Sequence, residues 1–233
     1  MDFAGRTVIV TGGTGGLGVA VVGALIASGA TCHVPYLAEA AAQAFPHRHH
    51  KQVTLYPTID LTNEDAVNLF YQQVSNLWAS IHLAGGFAPG RIAAAGKSVL
   101  AGQLDVNLMT CYLCCRSALM AMAANSAGGR IVNVAARPAL EWRTGAGMAA
   151  YAASKAAVAA LTVAMAEEVA KDKVLVNAVA PSILDTPANR KAMPKADHAA
   201  WPKVEDVAQT ILFLASPANK VTRGAVVPVY GRV

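Results

Sequence analysis

Tyr151 and Lys155 are the two residues whose types and spacing most directly imply chemistry. They lie four apart in Y-A-A-S-K, inside an alanine-rich run from about Ala149 to Ala170. On a helix that spacing puts both side chains on one face, one turn apart. A free phenol titrates near pH ~10, too high for efficient proton transfer near neutrality, and an ammonium beside it favours the phenolate. The pair is therefore expected to carry out acid/base work, the ammonium of Lys155 shifting the titration of Tyr151.

A second stretch offers that chemistry a partner. The apolar Val8-Ile9-Val10 breaks into T-G-G-T-G-G-L-G and resumes as a helix-like pattern through Val22. A buried strand that turns at glycines into a helix leaves backbone N–H groups free at the helix start, a cradle for phosphate. The glycines allow φ > 0 where the chain reverses and let a pyrophosphate approach the backbone closely.

The elements that must position these groups alternate between strand and helix. That alternation predicts an α/β fold, a Rossmann-type doubly wound parallel sheet of about seven strands with helices on both faces, forming one domain over residues 1–233. Strands are expected at Thr31–Tyr36, Val53–Tyr56, Ser80–Phe87, Gly129–Val134, Val176–Pro181 and Gly224–Val229. The first helix should run from about Leu17 to Ser28 and stop at Gly29. Thr62 with Asp65 three residues on reads as a helix cap, and Val204 to Ser216 as an amphipathic helix. His82 reads as a packed strand residue rather than a base.

The T-G-x-x-x-G-x-G turn, the Y-A-A-S-K helix and Asn107 in D-V-N together resemble the short-chain dehydrogenase/reductase family over nearly the whole chain. The resemblance implies an NAD(P)-dependent oxidoreductase acting on a small molecule. It implies that Gly12, Thr14, Gly15, Gly16, Leu17 and Gly18 surround the cofactor diphosphate. Tyr36 would face the adenosine ribose, and Asp60, with Leu61, the adenine. Ala84, Gly85, Gly86, Val134, Pro181 and Ile183 would line the rest of the cofactor path, and Thr186 would bind the nicotinamide carboxamide. Lys155 would also hold the nicotinamide ribose, Asn107 would kink its helix and hold a water in the proton path, and Asp185 to Met193 would form a lid.

Where the family places an acid for the 2′-hydroxyl of NAD, this chain has Tyr36-Leu37-Ala38. The acid is missing, and so is the Arg or Lys expected for a 2′-phosphate. Loss of the acid removes a repulsion, which tilts the reading from NAD towards NADP. The family's usual serine is missing too: the aligned segment is Ala135-Ala136-Arg137-Pro138, and no serine occurs in residues 127–153.

L-A-G-G-F at Leu83–Phe87, alanine in the serine position, Gly147-Met148 and the run from Leu184 to Trp201 resemble the dihydropteridine reductase branch. That branch implies a quinonoid dihydropterin as hydride acceptor, with Phe87, Ala136, Trp142 and Met148 as substrate contacts. Two alternatives stay open. One is a ketone, alcohol, imine or quinone substrate with Thr144 or a backbone group in place of the serine. The other is a dinucleotide sensor whose catalysis has decayed.

The formal charge of +5 comes from scattered Lys and Arg, and the densest cluster, His47 to Lys51, has no interleaved aromatics. This pattern speaks against a nucleic-acid partner. Apolar runs are interrupted by Gly, Pro or polar residues, so no membrane span is expected. Cys111, Cys114 and Cys115 share one predicted helix and Cys32 lies on a strand. No second Cys/His pair completes a metal site, and reduced thiols in a cytoplasmic protein are expected. Small residues along the helices around Asn107 and Tyr151 suggest a homodimer or homotetramer.

Overall fold

The computed structural model describes residues 1–123 and 127–233. Seven strands form one parallel sheet: β1 (Thr7–Thr11), β2 (Thr31–Pro35), β3 (Val53–Tyr56), β4 (Leu77–His82), β5 (Gly129–Val134), β6 (Val174–Pro181) and β7 (Val226–Val229). Their spatial order is β3-β2-β1-β4-β5-β6-β7. The order reverses between β1 and β4, and in such sheets ligands bind at the carboxyl ends beside that reversal.

Side-chain alternation divides the interior between two faces. Val8 and Val10 point into a cluster with Val21, Leu25 and Ile211, whereas Ile9 between them joins Phe70, Ile131 and Val158 on the other side. The first face is covered by α1 (Gly16–Ala27) and α9 (Val204–Ala215). The second is covered by α3 (Glu64–Gln72), by a long helix ending in α5 (Thr110–Ala123), and by α7 (Ala149–Glu168). Short helices α2 (Glu39–Gln43), α6 (Arg137–Leu140) and α8 (Pro187–Ala192) lie in the connections.

The long helix begins as α4 (Lys97–Gln103) and passes through a π-helical turn at Leu104–Met109 before α5. Asn107 sits in that turn, where the helix widens locally. Lys97–Ala123 and Ala149–Glu168 are, by length and composition, apolar enough to cross a bilayer, which corrects the expectation that no run would be. Both pack against the sheet through faces that include buried Asn107 and Lys155, and core helices of this kind pass the same compositional test.

Several boundaries differ from the sequence reading for local reasons. β4 spans Leu77–His82 instead of Ser80–Phe87, because after Leu83 bonds Thr11 the backbone leaves the ladder for Asn107. β6 starts at Val174, and β7 only at Val226. Thr62 is not the cap of α3. Asn63 takes that place, its side chain accepting from the Ala66 N–H at 2.9 Å, while Thr62 donates twice to Asp60. Gly29 stops α1 as expected, at φ +91°.

Candidate active site

The glycine turn joins β1 to α1. Gly12 adopts φ +66°, and a Cβ there would come within 2.6 Å of the Ala84 nitrogen. A Cβ on Gly18 would overlap the Gly12 carbonyl, so turn and helix close only with both glycines present. α1 starts without a side-chain cap from Gly15 and without an acid in its first turn. Its leading N–H groups are thus left for an external anion at the positive end of the helix. Thr14 is half-buried beside Gly15 and Gly16, and Leu17 is buried, which leaves its backbone as the part that can face a ligand. The Thr186 methyl lies against Gly16, 3.1 Å from where a Cβ would stand, so the start of the expected lid touches the turn.

At the β2 end the Tyr36 hydroxyl donates to Glu39 at 2.9 Å. Residues 36–38 thus carry no carboxylate of their own, and Glu39, at the start of α2, is tied to the Tyr36 hydroxyl. On the neighbouring loop Asp60 is exposed and accepts the Thr62 N–H and hydroxyl at 2.9 and 2.7 Å, which holds its carboxyl below the usual range. Leu61 beside it is half-buried.

The catalytic candidates converge past the ends of β4 and β5. Lys155 is buried and donates to the Val134 carbonyl at 2.8 Å. Asn107 pairs with both backbone groups of Gly86, accepting from its N–H at 3.0 Å and donating to its carbonyl at 2.9 Å, and also donates to Ser154 at 3.2 Å. Ser154 in turn donates to the Tyr151 carbonyl at 2.8 Å. A Cβ on Gly85 would lie 2.7 Å from the Asn107 oxygen and 3.3 Å from the Lys155 nitrogen, so this glycine brings loop, π turn and α7 together.

Electrostatically the ligand-free site departs from the simple pairing expected of a phenol and an ammonium. Burial pushes Tyr151 up to about 12 and Lys155 down to about 8. Both shifts favour the neutral forms, because burial takes the charged form of each group out of water, and for Lys155 the neighbouring Cys111 offsets this only in part. Lowering the phenol from this starting point requires an added positive charge, such as an oxidised nicotinamide.

Tyr151 and Lys155 open into a cavity of about 480 Å³ whose walls include Phe87, Val134, Ala136, Met148, Pro181 and Ile183. Phe87 meets Tyr151 edge to face with ring centres 5.0 Å apart. Three hydroxyls line this space, and two are committed: Thr144 donates to the Glu141 carbonyl at 2.8 Å and Ser182 to the Tyr230 carbonyl at 2.7 Å. Among the described residues, the Tyr151 hydroxyl is the one lining hydroxyl without a protein partner. Trp142 does not join these walls: it is 79% exposed and its indole N–H is tied to the Ala139 carbonyl, which turns the ring outward.

Sequence reasoning did not single out Arg137, Asn189 and Met193, which line the same cavity. Arg137 pairs with Glu141 at 2.7 Å and lies over the Tyr230 ring. Its position next to Ala136, in the slot of the missing serine, was the available signal. Asn189 and Met193 come from the segment expected to act as a lid. His82 is buried and absent from the cavity, as a packed strand residue should be.

Residues 6–197 match the family model described as short chain dehydrogenase. The chain is 33% identical to a cis-4-hydroxycyclohexanecarboxylate dehydrogenase of Sinomonas cyclohexanicum, over 98% of this chain and 96% of the relative. A short-chain type dehydrogenase/reductase from Mycobacterium ulcerans superposes with a TM-score of 0.89 at 26% identity, covering 100% of this chain and 90% of that one. The NADP-bound structure of ElxO superposes with a TM-score of 0.88 at 24% identity, covering 97% of each chain.

Proposed function

The chain belongs to the short-chain dehydrogenase/reductase family of NAD(P)-dependent oxidoreductases, and from that premise we propose that it reduces a flat heterocycle of the quinonoid dihydropterin type. Tyr151 would give the proton as the acceptor ring is reduced. The observation that carries this reading is the commitment of Thr144 and Ser182 elsewhere, with Ala136 at the serine position. A simple ketone benefits from a second donor on its oxygen, worth roughly 10²–10³-fold in rate. An oxidised ring that accepts hydride and a proton at separate atoms can do without one. Phe87, beside Tyr151, offers an aromatic surface for such a ring.

The cofactor would lie with its diphosphate on the α1 N-terminus. Lys155 would leave the Val134 carbonyl for the nicotinamide ribose, and Thr186 would hold the carboxamide. When bound, the dinucleotide supplies the hydride. Asn107 keeps the loop at Gly86 and the start of α7 in register through Ser154. We read the cofactor as NADP, on the missing acid at residues 36–38. Glu39 is the carboxylate that would oppose a 2′-phosphate, so its replacement by Gln should raise use of NADPH.

A ring alcohol or ketone is the second reading. The hydroxycyclohexanecarboxylate relative and the presence of Arg137 among the cavity-lining residues favour it. Oxidation of NADPH and NADH with quinonoid dihydropterin and with a panel of cyclic ketones, by wild type and Tyr151→Phe, separates the two. Pterin turnover that is lost in Tyr151→Phe supports the first reading, and ketone turnover alone supports the second. Tight dinucleotide binding with no turnover would mark a sensor.

The assembly we propose is a homodimer or homotetramer, supported by exposed Met109, Tyr112 and Met120 on the long helix and Val163 on α7. A cytoplasmic location is part of the same proposal, supported by four free cysteines.

A further inference from the structure

On the far side of β4 and β5 from α1, a strand histidine meets two cysteines of one helix in the core. The Nδ1/Nε2 and Sγ donors of His82, Cys111 and Cys115 all lie within 4.8 Å of one another, and all three residues are buried. Cys111 and Cys115 are one helical turn apart on α5, and His82 is the last residue of β4. The Cys115 sulfur is 3.5 Å from His82 Nδ1, the separation two ligands adopt when zinc binds them tetrahedrally at ~2.3 and ~2.0 Å. Asn133 brings a fourth atom: its Oδ1 is 3.4 Å from the Cys115 sulfur and hydrogen-bonded to His82 Nδ1 at 2.8 Å, a separation that must open to ~3.3 Å for both to bind one tetrahedral ion.

We propose that His82, Cys111 and Cys115, completed by the Asn133 amide oxygen, form a site for one thiophilic divalent cation of the zinc type. Two thiolates balance the cation's charge, so the complex is neutral and suits a buried position where an unpaired ion would not survive. Both sulfurs bind as thiolates, so binding displaces the protons that the two thiols carry. The surrounding shell suits the same arrangement. His82 Nε2 lies 2.8 Å from Ser80 Oγ, which bonds Tyr71, so a proton on Nε2 has an acceptor and Nδ1 can present its lone pair to a metal. Without an ion the ring must carry its proton on Nδ1 and donate it to Asn133, because two acceptors cannot face each other at 2.8 Å. The two states therefore differ in tautomer. The site would tie β4 and β5 to α5.

The test is titration of the full-length chain, unfolded with chelator and refolded under reductant, with Co²⁺ and then Zn²⁺. The expected result is one Co²⁺ per chain, giving a thiolate charge-transfer band and tetrahedral d–d bands that Zn²⁺ abolishes. Cys111→Ala and Cys115→Ala should lose the band, while Cys32→Ala and Cys114→Ala should keep it. Ser80→Ala should weaken binding about tenfold or more through the tautomer. Loss of helical circular dichroism in a cysteine variant would transfer the decision to the wild-type ¹⁵N spectrum, where His82 must move from the Nδ1–H to the Nε2–H tautomer on adding Zn²⁺. An unchanged His82 spectrum, no thiolate band in wild type, or equal uptake by folded Cys111→Ala and Cys115→Ala would overturn the proposal.

Discussion

The two halves of the candidate site are built by opposite means. The half at the β1–α1 turn is made of backbone, with side chains removed where Gly12 and Gly18 must close on their neighbours. The half around α7 is made of side chains carried into a buried place, where Lys155 and Tyr151 are both held away from their usual charge equilibria. The first half gains its specificity from absence and tolerates no added atom. The second can be adjusted residue by residue, at a cost in stability.

The largest effect should come from adding an atom group to the backbone half. Gly18→Val places carbon where the Gly12 carbonyl stands, and should abolish dinucleotide binding in a fluorescence titration. Retained tight binding would show that the turn does not hold the diphosphate. In the side-chain half, Tyr151→Phe should reduce kcat by about 10²–10⁴-fold while the cofactor Kd stays within a few-fold. A joint loss of both would merge the halves that the comparison separates.

Lys155 sharpens the contrast through pH. Its pKa falls from 10.5 to about 8 in the folded chain, so between those values the unfolded chain binds more protons and stability rises with pH. Below about pH 8 the burial penalty is complete, on the order of 3 kcal/mol, and above about pH 10.5 it is absent. Ligand-free Lys155→Met should accordingly melt higher than wild type at pH 7, with the gain shrinking by pH 10, while turnover is lost. An equal or lower Tm at pH 7 would contradict the burial argument. The smallest effects belong to side chains that reach neither half's chemistry: Thr144→Val and Trp142→Ala should change kcat/KM less than about threefold, as expected of groups committed elsewhere or facing solvent. A tenfold fall in Thr144→Val would restore Thr144 as the serine's stand-in.

The backbone half was largely legible in the sequence, because a turn that excludes Cβ atoms must be written in glycine. Alternation in Val8-Ile9-Val10 likewise told which residues face which side of the sheet. The Tyr151–Lys155 spacing showed a shared helical face but not its electrostatics, since burial depends on what packs above. Nor could the sequence show that Thr144 and Ser182 spend their protons on carbonyls, or that Trp142 turns outward. The His82, Cys111 and Cys115 meeting was hidden for another reason: its partners lie on different elements and approach only when β4 and α5 pack. Thr62 and Asn63 are both good caps, and local pattern alone could not choose between them.

The central claim is that the two halves meet on one dinucleotide, and a crystal structure of the chain with saturating NADP⁺ tests it most directly. The account predicts diphosphate on the Gly12–Gly18 turn, nicotinamide C4 within roughly 3–5 Å of the Tyr151 hydroxyl, and Lys155 moved from Val134 to the ribose. A nicotinamide placed far from Tyr151, or a diphosphate bound anywhere but the glycine turn, would contradict it.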